Sequence, residues 1–299
     1  MPRFEGALAT LLTVLLIASP AAAFCRSTTC KGDCPADADG CPSTGKPLSW
    51  AGGCVGFSFQ KDLTTKLPGP DVKAAVRRSF QSWTGVPCPG GGQASIAFSE
   101  AQDVTCALST YADKGPNVNV VLFRDYDFPY RGIDNTLAKT TVTFEATTGE
   151  ILDADIEVNA AFNEVTTVDT KVVYDLESIM THEIGHFLGI AHTQVAAATM
   201  NGAYDVGSTT FRSLDPDDIA AACAIYPPGR KATCDPTPRG GLAVTCDAKV
   251  EEPESSGCAI ASGEPGGQGK LDGARALPAV LLGLLVAARR SRRRAQGAA

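Results

Sequence analysis

The sequence predicts an α/β (α+β) domain, a sheet of short strands packed against helices. Three observations carry that expectation. From Trp50 onward, strand-like and helix-like patterns alternate. Two stretches, near residues 70–83 and 175–187, set apolar residues on one face at helical spacing. Between them, Ala138–Glu145 and Ile151–Val158 flank a turn at Ala146-Thr147-Thr148-Gly149-Glu150, as in a hairpin.

Each element has a local reason. Val55–Phe59 reads as a strand. Gly69-Pro70 opens the first helix, since proline fits the first helical position. Val72, Ala75, Val76, Phe80 and Trp83 then share one face. Ala94–Phe98 and Val118–Phe123 read as further strands. In the second hairpin arm, Leu152, Ala154, Ile156 and Val158 alternate with Asp153, Asp155 and Glu157. That alternation predicts one buried face and one solvated acidic face. The second helix begins near Asp175, with Leu176, Ile179, Met180 and Phe187 as its apolar side. Ser213 or Asp215 would cap a last helix, with Pro216 just inside it.

The most informative run is His182-Glu183-Ile184-Gly185-His186-Phe187-Leu188-Gly189-Ile190-Ala191-His192, which holds all three histidines of the 299-residue chain. On a helix, residues four apart share a face, so His182 and His186 point the same way. Gly189 suits a sharp exit from the helix, because glycine enters positive φ without steric cost. His192 can then return as a third ligand. Three neutral imidazoles suit zinc and leave one tetrahedral position for water, the arrangement of a catalytic site. Glu183, beside the first ligand, is placed to take a proton from that water as general base. The implied reaction is hydrolysis of an amide, with a peptide bond as the leading substrate.

This run resembles the H-E-x-x-H-x-x-G-x-x-H signature of metzincin zinc proteases. Met200, in Ala198-Thr199-Met200-Asn201-Gly202, stands where their Met-turn would lie. Its spacing from His192, and Thr193 after the third histidine, resemble the matrixin branch (family M10). So do Leu214-Asp215-Pro216-Asp217-Asp218-Ile219 and Ala224-Ile225-Tyr226 downstream. The resemblance implies the zincin-like fold: a twisted, mixed five-stranded sheet with an antiparallel edge strand, an active-site helix and a C-terminal helix. It implies that Ala138–Glu145 is the edge strand and that a peptide substrate lies antiparallel along it. It also implies that Tyr204 helps wall the substrate pocket. The second, structural zinc of animal matrixins is not expected as a three-histidine site, because no histidine remains for it. Calcium stays open at Asp153, Asp155 and Glu157. No Pro-Arg-Cys-Gly latency run is present, and about 26 residues separate the leader-like start from Trp50, so the means of keeping the protein silent is an open question.

The two ends add location. Residues 1–23 read as a secretory signal, with Arg3, an apolar stretch from Ala7 and a cleavage site at Ala21-Ala22-Ala23. Eleven cysteines in an exported chain predict disulfides. The local pairs Cys88–Cys106 and Cys234–Cys246 are the expected ones, with Cys223 lacking a nearby partner. At the other end, Ser256-Gly257-Cys258 precedes a glycine-rich spacer, an apolar run at Ala276–Ala288 and an arginine cluster. This tail resembles the myxobacterial C-terminal sorting signal, which implies that Cys258 is an attachment point.

The expected organisation is therefore a signal at 1–23, a Cys-rich segment at 24–45 and a catalytic domain at 46–227. A linker at 228–257 and a sorting tail at 258–299 complete it. Removing both ends leaves 18 basic and 30 acidic residues, a net charge near −12, which argues against nucleic-acid partners. The expectation is a monomeric, secreted or surface-anchored zinc endopeptidase acting on peptides or proteins. Two alternatives stay open: an inactive surface-adhesion protein on the same scaffold, and a metalloamidase for cell-wall links.

Overall fold

The computed structural model describes residues 24–130 and 136–246, and the backbone of two strands at 256–258 and 261–263. The signal-like residues 1–23, Asp134 and the apolar run of the tail lie outside the described residues. Among the described residues, no helix is long and apolar enough to cross a membrane.

In chain order the elements are β1 (Cys25–Arg26), β2 (Cys54–Phe59), α1 (Gly69–Trp83), β3 (Ala97–Glu100), β4 (Val120–Arg124), β5 (Ala138–Phe144) and β6 (Ile151–Asn159). Then come β7 (Val165–Thr166), β8 (Tyr174–Asp175), α2 (Leu176–Phe187), β9 (Ile190–Ala191) and β10 (Ala203–Asp205). A single 3₁₀ turn at Thr210–Arg212, α3 (Pro216–Ile225), β11 (Ser256–Cys258) and β12 (Ala261–Gly263) follow.

The predicted mixed five-stranded sheet is present, in the order β5-β6-β4-β2-β3. Strands β3, β2, β4 and β6 run parallel, and β5 is antiparallel to β6. A sixth strand, β11, pairs with the outer edge of β5. The sequence gives no local sign of that partner, because β11 comes from a glycine-rich stretch far along the chain.

Side chains on β4 divide between two cores. Val121 and Phe123 join the main apolar cluster with α1 and α2, while Val120 and Leu122 join a smaller one with Val104, Cys106, Val118 and Ala243. The small cluster covers the far face of the sheet, so β6 is buried along nearly its whole length. This corrects the expected solvated acidic face: Asp153, Asp155 and Glu157 are all buried. A central strand covered on both faces has no wet side, whatever its alternation suggests.

Helix α2 is buried at every one of its 12 positions. Asp175 caps it, accepting a hydrogen bond from Ser178 N at 2.8 Å. Helix α1 packs along it, with Trp83 Nε1 donating to Thr181 O at 2.8 Å and Ser79 Oγ to Glu177 O at 2.9 Å. Of the two expected caps of α3, Asp215 is the one used, in a capping box with Asp218.

Among the described residues, five disulfides join ten cysteines: Cys25–Cys41, Cys30–Cys34, Cys54–Cys234, Cys88–Cys223 and Cys106–Cys246. This corrects the two local pairings expected from the sequence. Cys88 instead reaches Cys223 on α3, and Cys106 and Cys234 reach across 140 and 180 residues. Loops of that length gain most from closure, on the order of 5 kcal/mol each in the chain-entropy account. Two of these bridges, Cys54–Cys234 and Cys106–Cys246, fasten residues 228–246 to the domain.

Candidate metal centre

Three elements bring the histidines together. His182 and His186 lie one turn apart on α2. Gly189 then adopts φ of 88° and turns the chain out of the helix. A side chain there would meet Leu48 O at 2.6 Å from its Cβ, so sterics and backbone both require glycine. Strand β9 follows, held by antiparallel pairing with β1, and delivers His192.

The three Nε2 atoms face one another at 3.0, 3.2 and 3.2 Å. His182 Nδ1 is 2.6 Å from Thr199 O, and His186 Nδ1 is 2.8 Å from Ile190 O. A carbonyl can only accept, so both Nδ1 atoms carry the proton and both Nε2 atoms present a lone pair. Burial, then the neighbouring imidazoles, holds the His182 pKa well below its ordinary value. The same causes lower His186 to about 3, and burial lowers His192 to about 4. Neutral donors at neutral pH are the form a metal requires. Zinc bound tetrahedrally at about 2.0–2.1 Å sets its nitrogens about 3.3 Å apart, close to the spacing here. Among the described residues, this is the one group of three or more His, Cys, Asp or Glu side chains that could hold a metal ion.

Glu183 is fully buried beside the cluster, and Thr140 Oγ1 on β5 donates to its carboxylate at 2.5 Å and to its main-chain oxygen at 3.1 Å. Thr140 therefore fixes the carboxylate against the strand. Met200 is buried under α2: a Cβ on Gly185 would stand 2.1 Å from its Sδ. The turn carrying Met200 is tied to α3 by Asp218, which accepts from Thr199 N at 2.8 Å and Met200 N at 3.0 Å. The same turn supplies the carbonyl that orients His182, so Asp218 reaches the first histidine through two hydrogen bonds.

Three of these residues escaped the sequence reading. Gly185 had a signal, a glycine inside a buried helix, which costs about 1 kcal/mol of helix propensity and asks for a packing reason. Asp218 had a partial signal as the second half of a capping box. Thr140 had none, because its role depends on strand pairing.

Tyr204, on β10, is buried. Its ring is 1% exposed and packs near Phe211 and Tyr174, at centroid distances of 5.8 and 6.2 Å. Its hydroxyl accepts from Asp175 N at 3.1 Å and donates to Ser208 O. The side chain thus braces the cap of α2 from within the core. The three acids of β6 do not gather into a ligand set. Asp155 accepts from Val120 N at 2.8 Å and Thr110 N at 3.1 Å, and Glu157 pairs with Arg124 and Tyr130. Asp125 is likewise engaged, by Thr64 Oγ1, Thr65 N and Thr65 Oγ1. Cys258 lies on β11, opposite Thr140 in register.

Known proteins are similar to this chain in sequence. The matrixin family profile matches residues 49–227. Metalloendoproteinase 1-MMP of Arabidopsis thaliana is 30% identical over 177 residues, covering 56% of this chain and 42% of that protein. Metalloendoproteinase 1 of Glycine max is 32% identical over 190 residues, covering 57% and 55%. Human matrix metalloproteinase-19 is 27% identical over 175 residues, covering 57% and 28%. The chain thus spans about half or less of the length of these relatives.

Proposed function

The chain belongs to the matrixin family, and on that premise we propose that it is an exported zinc endopeptidase that hydrolyses peptide bonds in peptides or proteins. One observation carries the reading: three buried imidazoles whose Nε2 atoms converge at 3.0–3.2 Å while carbonyls hold two of the rings from behind. His182, His186 and His192 would hold the ion. When bound, zinc supplies Lewis acidity, lowering the pKa of water and polarising a carbonyl.

The remaining work falls to the chain's own residues. Glu183 takes a proton from the attacking water and delivers it to the leaving amine. Thr140, by donating to Glu183, holds the carboxylate in position for both transfers. The burial of Glu183 and of the histidine rings keeps bulk water away and strengthens each polar contact. Met200 packs against Gly185 on α2, the helix that carries two of the rings.

Export follows from the signal-like start, and the sorting-like tail would tether the protein at the cell surface through Cys258. The test uses the full chain on a peptide library with and without a chelator. A chelator should abolish cleavage. Glu183→Gln should keep one zinc per chain and lose about 10²–10⁴-fold in kcat, the usual value of a general base. A Gln variant as fast as the parent would overturn the assignment of Glu183. Stoichiometric zinc with no cleavage in the parent would favour the surface-adhesion alternative.

A further inference from the structure

We propose that residues Cys25–Ser27 are a positioning strand for the histidine cluster, and that closing the Cys25–Cys41 disulfide completes the zinc site. The role presumes zinc at the histidines, as proposed above, and ties residues distant in sequence to that site.

A series of main-chain pairings runs from the sheet to the third histidine. Ser49 is bound into the start of β6: its N–H donates to Gly149 O at 3.0 Å, and its carbonyl accepts from Ile151 N at 2.9 Å. The residues before it pair with residues 27–29. Thr29 N donates to Lys46 O and Leu48 N to Ser27 O, both at 2.8 Å. The other edge of that segment meets β9. Cys25 stands opposite Ala191 and Arg26 opposite Ile190, and Ser27 N donates to Gly189 O at 2.9 Å. Residues 25–29 are thus a middle strand between the body of the domain and β9.

Strand β9 acts on two of the histidines. His192 follows Ala191 directly, and Ile190 O lies 2.8 Å from His186 Nδ1. Displacing β9 therefore moves one imidazole and frees the orientation of another. The end of α2 is held separately: Trp50 Nε1 donates to Phe187 O and the Tyr226 hydroxyl to Leu188 O, each at 2.8 Å. Past the cluster, Thr193 N donates to Met200 O at 3.0 Å. Strand β1 is thus the anchor of His192 on its N-terminal side.

A two-residue strand is weak without a clamp. Cys25 is buried and bonded to Cys41, 16 residues on. Closing a loop of that size shifts a local order balance about a hundredfold in the chain-entropy account. The clip also straddles the third histidine. Cys25 lies opposite Ala191, while a Cβ on Gly40 would stand 3.2 Å from Nε2 of Gln194. Closure balances as thiol–disulfide exchange: the two cysteine thiols give up two protons and two electrons, and an oxidising disulfide partner becomes a dithiol. A dithiol donor reverses the step in a reducing compartment. The site is then incomplete until the chain reaches an oxidising one, which is a means of silence before export.

The full oxidised chain is titrated with zinc against a chromophoric chelator, and its zinc-free form is followed by hydrogen exchange. Cys25→Ser with Cys41→Ser should weaken zinc binding about a hundredfold. Cys30→Ser with Cys34→Ser, a bridge within the same loop, should leave it unchanged. Ser27→Pro keeps every bridge and removes the donor to Gly189 O, and should weaken zinc about tenfold. Amides of 190–193 should lose protection in the first and third variants, while those of 180–186 on α2 keep it. In the parent, graded dithiol should release zinc in step with alkylation of Cys25 and Cys41, read by peptide mass.

Parental zinc affinity in the Cys25, Cys41 variant would overturn the proposal, as would equal weakening by the Cys30, Cys34 variant. If the Cys25, Cys41 variant does not fold, Ser27→Pro decides: parental affinity there overturns the positioning role. Exchange rising along all of α2 would mean general loosening and would also overturn it. Zinc release in step with Cys54, Cys88 or Cys106 instead would defeat the role of the Cys25–Cys41 bridge. A folded parent that binds no zinc would defeat the zinc reading itself, and this proposal with it.

Discussion

On α2 and just past β9, three histidines turn Nε2 toward a common point, and two of them are held there by carbonyls on Nδ1. On β6, the buried acids instead meet partners from the protein. Asp155 accepts two main-chain N–H groups, and Glu157 meets Arg124 and Tyr130. Asp153 differs: burial, then the nearby Asp155, raises its pKa, and its Oδ1 is buried with no hydrogen-bond partner among the described residues. Both rows are ionisable and buried. They differ in whether the second coordination partner is a protein group or is left to come from outside. The contrast teaches that a row of potential ligands is not a site. A site needs its outer atoms fixed and its inner atoms left facing one another.

The sharpest way to break the comparison is to remove one member of each row. His186→Ala should abolish stoichiometric zinc binding, measured as metal per chain after dialysis, while the zinc-free fold survives. Glu157→Ala should do the reverse, keeping zinc but leaving Arg124 without its buried partner. Breaking such a pair costs about 3–5 kcal/mol, which chemical denaturation would read directly. If Glu157→Ala lost zinc, the two rows would not be separate systems.

A smaller effect is expected at the floor of the histidine site. Gly185→Ala forces Met200 aside, since the added carbon would lie 2.1 Å from its Sδ. Overpacking of this kind costs about 1–3 kcal/mol. The variant should melt lower and bind zinc more weakly, and Gly185→Ala combined with Met200→Ala should recover part of the stability.

The smallest effect is a difference in pH response of the zinc-free protein. The histidines have folded pKa values below the ordinary 6.5, at about 3 and about 4 for His186 and His192. The unfolded chain therefore binds more protons on the acid side. Their contribution is complete above pH 6.5 and is lost as pH falls toward 4. Asp155 has the opposite sign: its pKa is raised from 3.8 to about 8 by burial. Its contribution is complete below pH 3.8 and is lost as pH rises toward 8. Thermal melts across pH 4–9 should show stability falling at both ends. Asp155→Asn should flatten the alkaline fall and leave the acid one. An unchanged alkaline fall would show that Asp155 is ionised in the fold.

Much of the metal centre was legible because its information is local. His182, Glu183, His186, Gly189 and His192 lie within one helix and its exit turn, where spacing fixes direction. Five strands and two helices were likewise legible from their patterns, and the third helix from its capping signals, with boundaries displaced by a few residues at β3 and β4. The acids of β6 were misread for a physical reason. Alternation predicts a wet face only if nothing covers it, and the cover comes from residues near 104–122 and 243. The disulfides were misread for the same reason, since the expected partners were near in sequence and the real ones are near in space. Thr140 beside Glu183, and Asp218 behind Met200, lie on elements far from the residues they hold.

The sequence by itself determined the fold class and the gathering of three histidines, because helical spacing and glycine's access to positive φ act within a dozen residues. Only the tertiary structure decided what faces Glu183, which acids are consumed within the protein, and what lies along β5. Each of those depends on strand pairing between distant segments, and hydrogen bonds between strands leave no period in the sequence that supplies them.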